Sequence, residues 1–286
     1  MRTDFHSRDK IGIVYLCYVP YGIKYIEAFI SSYTLNASGI EHELFILFNG
    51  YSNESELIIF EDFLATSIIE YRILKSHEKF DIGSYFFAAS QINHKYLVFL
   101  NTYSRILHPN WLSHLYTTVQ NSNVGVVGCT GAWGDFGGNH IHFGSNLFKR
   151  IFSWIIFRYN FYPHVKPHLR TNAFLIDREV FLSLRYYDPK PYWLSFLKHG
   201  PKESKLKTFC FEHGNDSMTN QILKKGLNVM IVDKNGKSYS IANWKESNTF
   251  WHGEQENLII QDNQTLNYTG GSEAYKTTLR IKAWTI

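Results

Sequence analysis

The sequence predicts an α/β, Rossmann-like fold, a mostly parallel sheet flanked by helices, on three observations. Short apolar runs without a polar face recur at 11–18, 44–48, 96–100, 124–128 and 228–232, as expected of strands buried on both faces. Apolar residues at helical spacing separate several of these runs, which is the alternation of parallel βαβ units. Polar or glycine-bearing residues follow several runs at their carboxyl ends, where open α/β sheets gather their ligands.

The first run, IGIVYLCY (11–18), is closed by the turn signal Val19-Pro20-Tyr21-Gly22. Ile23, Ile26, Ile30 and Tyr33 then mark a helix. The strand at 44–48 ends in Asn49-Gly50-Tyr51-Ser52-Asn53, and a short helix over 55–63 leads to a third strand over 70–74. Asp81-Ile82-Gly83-Ser84-Tyr85 precedes a further helix with alanines at 88 and 89. An aspartate there is explained by helix capping alone. The central stretch is HKYLVFLNTYSRILHPNWL (94–112): a strand over 96–100, the polar turn Asn101-Thr102-Tyr103-Ser104, and a helix opened by Pro109. Tyr18, Asn49, Asp81 and Gly83 all fall at or just after strand ends, which places them around one crevice.

VGVVG (124–128) reads as another core strand. It leads to a glycine-rich segment with Trp133, Asp135 and the Gly137-Gly138 pair, either an active-site loop or a solvated connection. LFKRIFSWIIFRYNFY (147–162) mixes Lys149, Arg150 and Arg158 with large apolar residues; it suits a helix lying on a membrane surface or one buried against the sheet. His168, Arg170 and Asn172 alternate, so an extended chain there puts them on one face, toward solvent or a polar ligand. Glu212, His213 and Asp216 precede a helix over 218–225 with Gly226 as its C-cap. Capping accounts for Asp216, whereas Glu212 between Phe211 and His213 has less structural reason to be there. Beyond Gly236 comes a polar-aromatic stretch with Trp244, Trp251, His252 and the run Asp262-Asn263-Gln264-Thr265. It does not read as a regular amphipathic helix; it either brings rings and amides such as Trp251 and His252 over a ligand site or covers a sheet edge. The division expected is 1–235 for the main domain and 236–286 for a C-terminal extension packed on it.

The pattern FLN-x-x-S followed by P-x-W-L, in the order of elements above, resembles family 2-like glycosyltransferases of the GT-A fold over about 11–232. In that family the central strand ends in an Asp-x-Asp motif that holds a divalent cation against the donor diphosphate. Asn101 and Tyr103 stand at the matching positions here. Asp81 with Gly83 resembles the family's Asn-x-Gly-like turn at the nucleotide pocket. Asp177-Arg178-Glu179-Val180-Phe181 resembles an element that borders the acceptor site. The family's catalytic base begins the helix that 218–225 resembles, and Glu212 and Asp216 bracket its place. The resemblance implies a GT-A-like fold and an inverting single displacement from a nucleotide-sugar donor to a hydroxyl acceptor, a glycan or lipid-linked, in bacterial surface polysaccharide or glycolipid synthesis. Donor-binding candidates are Tyr18, Asn49, Asp81, Gly83, Asn101, Tyr103 and Arg170. Acceptor-binding candidates are His168, Asn172, His213, Trp251 and His252, and the base is Glu212 or Asp216.

A neutral amide at 101 and a phenol at 103 are poor ligands for Mg or Mn, so no metal cofactor is expected and Arg170 is the candidate to grip the diphosphate. A carboxylate elsewhere, Asp135 or Asp81, is the alternative metal anchor. The related nucleotidyltransferase reading lacks its long lysine-containing glycine-rich loop after the first strand. A non-catalytic glycan-binding protein that keeps the fold is the rival reading.

Composition narrows the classes. The 286 residues are 44% hydrophobic, 19% charged and 17% aromatic, a globular rather than disordered composition. The net charge of +4 and pI near 8.7 come from scattered basic residues, so no nucleic-acid footprint is expected. Cys17, Cys129 and Cys210 form no CxxC pair, which argues against a disulfide framework or zinc site. The polar first ten residues lack a secretory apolar core, and a cytoplasmic location is expected, with peripheral contact at the inner face of the membrane through 147–162 as one reading. On that ground the two sequons at 263–265 and 267–269 carry little weight.

Overall fold

The computed structural model describes residues 11–78, 80–134, 151, 154–155, 158–161, 166–187 and 201–284. The sheet order is β11-β10-β6-β9-β4-β1-β2-β3, with β1 Ile11–Tyr18, β2 His42–Asn49, β3 Arg72–Ser76, β4 Tyr96–Leu100, β6 Val124–Gly128, β9 Ala173–Asp177, β10 Asn228–Val232 and β11 Ser238–Ser240. β1 pairs in parallel with β2 and β4, and β10 with β6, while β9 runs antiparallel between β4 and β6. This is the expected α/β, mostly parallel sheet flanked by helices. Two short ribbons join it: β5 (Arg105–Ile106) with β12 (Ile260–Gln261), and β7 (Gly131–Ala132) with β8 (His168–Leu169).

Alternation along the strands divides the core between the two faces. Ile13, Tyr15, Val98, Leu100 and Leu175 pack with α1 (Lys24–Leu35), α2 (Ile58–Ala65) and α4 (Trp111–Val119). Val14, Leu16, Leu97, Phe99, Phe174 and Ile176 face the other way, against α3 (Phe80–Gln91), α5 (Arg178–Leu182), α6 (Pro201–His213) and α7 (Met218–Lys224). Trp244, Phe250, Tyr268 and Trp284 belong to this second cluster, so the stretch beyond 236 shares the core of the sheet.

Several local expectations are corrected. The helix over 55–63 is a 3-10 turn, Glu54–Leu57, followed by α2, and the third strand lies two residues later than 70–74. Asp81 to Tyr85 lie inside α3 rather than before it, because Phe80 takes a left-handed φ of 62° and the helix starts there. Pro109 precedes α4 without opening it; Asn110, at φ 59°, is the residue before Trp111. His168, Arg170 and Asn172 do not share an extended face. β8 ends at Leu169, opposite Gly131, the first residue of its two-residue antiparallel partner β7, and the chain turns through Thr171 and Asn172 into β9. The polar-aromatic stretch contains two helices, α8 (Asn263–Thr269) and α9 (Glu273–Trp284). α8 is started by a capping box in which Asp262 Oδ1 accepts from Thr265 N at 2.9 Å and Thr265 Oγ1 accepts from Asp262 N at 2.8 Å.

Gly137-Gly138, Asp135 and much of 147–162 lie outside the described residues. Within that segment Ile151, Trp154 and Tyr159 are exposed and Phe161 is buried. Among the described residues no helix is long and apolar enough to cross a membrane.

Candidate active site

The chain runs β1, β2, β3 outward in one direction and then returns to set β4 on the other side of β1. Adjacent connections thus leave on opposite faces, and a crevice opens at the carboxyl ends of β1 and β4. A cavity of about 540 Å³ lies there. It is lined by Tyr18 from the end of β1 and Tyr21 after it, Asn49 and Tyr51 at the end of β2, His77 and Glu78 after β3, Phe80 and Asp81 at the start of α3, and the Asn101-Thr102-Tyr103 turn after β4.

Hydrogen bonds fix that turn. Thr102 Oγ1 donates to Leu16 O at 2.8 Å and accepts from Tyr18 N at 3.2 Å, and Tyr15 Oη donates to Thr102 O at 2.8 Å. Asn101 Oδ1 accepts from Tyr103 N and from Ser104 Oγ, each at 3.1 Å. Asn49 Nδ2 donates to Glu78 O and Ser84 Oγ, each at 2.8 Å, which joins β2 to the start of α3. Gly50, at φ 82°, is required here because a Cβ would collide with the Tyr18 ring.

The walls are aromatic. Tyr103 packs edge-on against Tyr25 with ring centres 5.0 Å apart and lies 5.3 Å from Tyr21, which itself meets Tyr18 at 4.8 Å. Burial, and then its hydrogen bond with Tyr21, hold the Tyr103 phenol in its protonated form. Across the cavity Tyr51 Oη lies 3.2 Å from His77 Nε2. Such rings offer flat faces for a nucleobase or a sugar. Phe80, with its left-handed backbone, stands beside them; a strained non-glycine residue at a cavity wall is characteristic of functional sites.

The acidic groups lie on the α3 and α6 side. Burial raises the Asp81 carboxyl, offset in part by the 2.9 Å bond from Ile82 N to Asp81 Oδ1. Glu212, at the C-terminal end of α6, is pushed up to about 7 by burial and then by the charge of Asp81, while the Thr171 hydroxyl and Arg170 oppose the rise. Thr171 Oγ1 donates to Glu212 Oε1. The Glu212 side chain keeps 24% exposure and does not itself line the cavity. Tyr85, fully buried, feels both carboxylates, and its hydroxyl has no hydrogen-bond partner among the described residues.

The cavity therefore brings together Tyr18, Asn49, Asp81, Asn101 and Tyr103 of the sequence candidates. Gly83 lies within α3, beneath Glu78, and does not line it. Arg170 also does not: its Nη2 lies 2.6 Å from Asp262 Oδ2 and its guanidinium 4.3 Å over the Phe250 ring. Asp216 lines a separate cavity of about 170 Å³ with Arg185, Tyr187 and Lys207. There it accepts from Lys224 Nζ at 2.7 Å and from Tyr187 Oη. Ser217, not Asp216, caps α7. His168 and His213 meet edge to face at 4.3 Å, and burial lowers both, His168 to about 4. Asn172 is buried, with Oδ1 accepting from Thr130 Oγ1 at 3.0 Å. Trp251 is buried against Phe250 with ring centres 4.5 Å apart, and His252 Nδ1 is 2.6 Å from Asn248 Oδ1; neither lines the cavity.

Sequence reasoning missed Tyr21, Tyr51, His77, Glu78, Phe80, Thr102 and Thr171. The first six follow strand ends, so the rule that selected Tyr18 and Asn49 extends to them. Thr171 carries no such signal.

A divalent cation finds no fitting ligand pair at 101 and 103. The Asn101 amide oxygen is already taken by two donors, and Tyr103 is held as a neutral phenol. Among the described residues no three His, Cys, Asp or Glu side chains group to hold a metal.

No protein-family pattern and no curated protein matches the sequence. Solved structures do resemble it. The 4-diphosphocytidyl-2C-methyl-D-erythritol synthase of Anaerococcus prevotii is 10% identical with a TM-score of 0.43, over 78% of this chain and 86% of that one. Mouse xyloside xylosyltransferase 1 is 12% identical with a TM-score of 0.41, over 78% and 85%. A mannosyltransferase of Pyrobaculum calidifontis, in complex with GDP-Man and Mn2+, is 10% identical with a TM-score of 0.41, over 60% of this chain and 45% of that one. These likenesses concern the outline of the sheet and its helices and assign neither substrate nor reaction to this chain.

Proposed function

We propose that this chain is a GT-A-type glycosyltransferase that moves a sugar from a nucleotide-sugar donor to a hydroxyl acceptor. The observation that carries the reading is the tyrosine-walled cavity at the switch point of the sheet, with Asp81 in its wall and, outside the lining, Glu212 pushed up to about 7 by burial and then by the charge of Asp81. A carboxyl near 7 is poised as a proton acceptor at neutral pH, where a general base is most effective. In this reading the nucleotide lies against Tyr18, Tyr21 and Tyr103. Glu212 takes the proton of the acceptor hydroxyl as that oxygen bonds to the anomeric carbon and the nucleoside diphosphate departs, which inverts that centre.

Charge growing on the departing diphosphate needs fixed donors. Among the described lining residues there is no lysine or arginine. The side-chain donors there include the tyrosine hydroxyls, the Asn101 amide nitrogen and the imidazole of His77. Arg170, paired with Asp262, does not line the cavity. The acceptor is proposed to reach Glu212 beside Thr171 and His213, with the more deeply buried His168 backing the His213 ring. A glycan or lipid-linked acceptor in bacterial surface polysaccharide or glycolipid synthesis fits this reading, and peripheral membrane contact near Ile151, Trp154 and Arg158 accords with their exposure. Flotation with anionic vesicles tests that contact: protein remaining at the bottom of the gradient removes it.

The reading as a whole is tested by incubating the protein with a panel of nucleotide sugars and following release of the nucleoside diphosphate. Slow hydrolysis of one donor, abolished in Glu212→Gln, is expected; no release across the panel contradicts a transferase. The second reading, a non-catalytic glycan-binding protein, rests on Asn101, whose amide oxygen is spent on the local turn where the family binds metal. Binding of glycans without binding of any nucleotide would favour it.

A further inference from the structure

We propose that Arg170 and Thr171 are positioning residues through which the C-terminal extension holds both the Glu212 carboxylate and the Asn101-Thr102-Tyr103-Ser104 turn. The inference rests on the assignment of Glu212 above and adds residues to it. Three contiguous residues carry the link. Arg170 is anchored by Asp262, at 2.6 Å with side-chain exposures of 10% and 1%, and by the face of Phe250. Thr171 donates to Glu212 Oε1. Asn172 O accepts from Asn101 N at 3.0 Å and from Ser104 Oγ at 3.4 Å. One short strap thus touches an anchor in the extension, the proposed base and the floor of the cavity.

The extension also grips the far end of the same turn. Residues 259–262 run from β5 to Arg170: Leu107 N donates to Ile259 O at 3.0 Å, and Ile260 and Gln261 pair with Ile106 and Arg105, directly after Ser104. Asp262 comes next, fixed by its capping box with Thr265 and paired with Arg170. The turn is therefore held at its start through Asn172 and at its end through β12, two segments that the Arg170–Asp262 pair joins. An exposed ion pair between flexible chains would transmit little. Here both partners are almost fully buried, and removing either leaves the other's charge without compensation.

The carboxylate is the part that can be read without turnover. A hydroxyl donating to a carboxylate favours its charged form. Thr171→Val keeps the shape of the side chain and removes the donor, so the Glu212 titration, followed by NMR of carboxyl-labelled glutamate, moves upward by up to about one pH unit. Thr171→Ser keeps the donor and restores the wild-type midpoint. Asp262→Asn tests the anchor: it shifts the same Glu212 titration, and it weakens nucleoside diphosphate binding because the Asn101 turn loosens. If Asp262→Asn fails to fold, Phe250→Leu, which removes the other support of Arg170, is measured in its place. A folded Thr171→Val protein whose Glu212 titrates as in the wild type overturns the inference. If the titration moves but Glu212→Gln leaves transfer intact, the strap stands and the assignment of the base falls.

Discussion

Arg170 Nη2 and Asp262 Oδ2 lie 2.6 Å apart in the interior, joining the turn before β9 to the first residue of the α8 cap. Removing one partner of a buried pair leaves a charge that neither water nor protein solvates. Arg170→Met or Asp262→Asn alone is therefore expected to destabilise the fold by about 3–5 kcal/mol. The double variant should lose less than the sum of the two, because it strands no charge. Urea unfolding of the four proteins checks this, and strictly additive losses would show that the two residues do not compensate each other.

The tyrosine wall gives a second expectation. Tyr103→Ala should weaken nucleoside diphosphate binding by about 1–3 kcal/mol, the range for one lost stacking ring. Tyr103→Phe should retain most of the affinity, since the face is kept and only the hydroxyl removed. Calorimetry on both variants decides between a stacking role and a hydrogen-bonding one.

Glu212 gives a third, in which the sign follows from burial. Its carboxyl is raised from 4.5 to about 7 in the folded protein. The stability it contributes is complete below the unfolded value of 4.5 and is lost as pH rises through about 7. Glu212→Gln, which cannot ionise, should accordingly raise thermal stability at pH 8 relative to wild type and change it little at pH 5. As the proposed base, Glu212 must be unprotonated to act, so transfer should fall as pH drops below about 7. Glu212→Gln should lower turnover by a factor of about a hundred or more with donor affinity nearly unchanged. A melting curve at two pH values and a pH profile of turnover read the two effects separately.

Metal removal gives a fourth. With the Asn101 oxygen engaged and Tyr103 held neutral, transfer is expected to persist in excess EDTA. Loss of activity that manganese or magnesium restores would mean that another carboxylate, Asp81 or Asp135, anchors a cation.

The strands were the most legible part of the sequence. β1, β4, β6 and β10 are apolar runs buried on both faces, a pattern that burial itself writes into the chain. From their ends alone Tyr18, Asn49, Asp81, Asn101 and Tyr103 could be placed around one cavity, because sheet topology, not local chemistry, brings them together. Residues whose surroundings come from distant chain were not legible. Arg170 as a cation beside polar residues suggested a phosphate ligand; only the fold shows that Asp262, 92 positions later, claims it. Trp251 and His252 suggested a sugar platform, yet Trp251 fills core against Phe250. The helices α8 and α9 escaped because their many polar residues blur the apolar stripe. The Asp262 to Thr265 spacing was the local signal for the first of them.

Nucleotide binding is read most directly by thermal unfolding of the purified protein against a panel of nucleoside diphosphates. A ligand that binds only the native state raises the melting temperature in proportion to how far its concentration exceeds its dissociation constant. One nucleoside diphosphate is expected to raise it in the wild type and to lose that effect in Tyr103→Ala. A melting temperature unmoved by every nucleotide in the panel, in a protein that binds glycans, would contradict the transferase account.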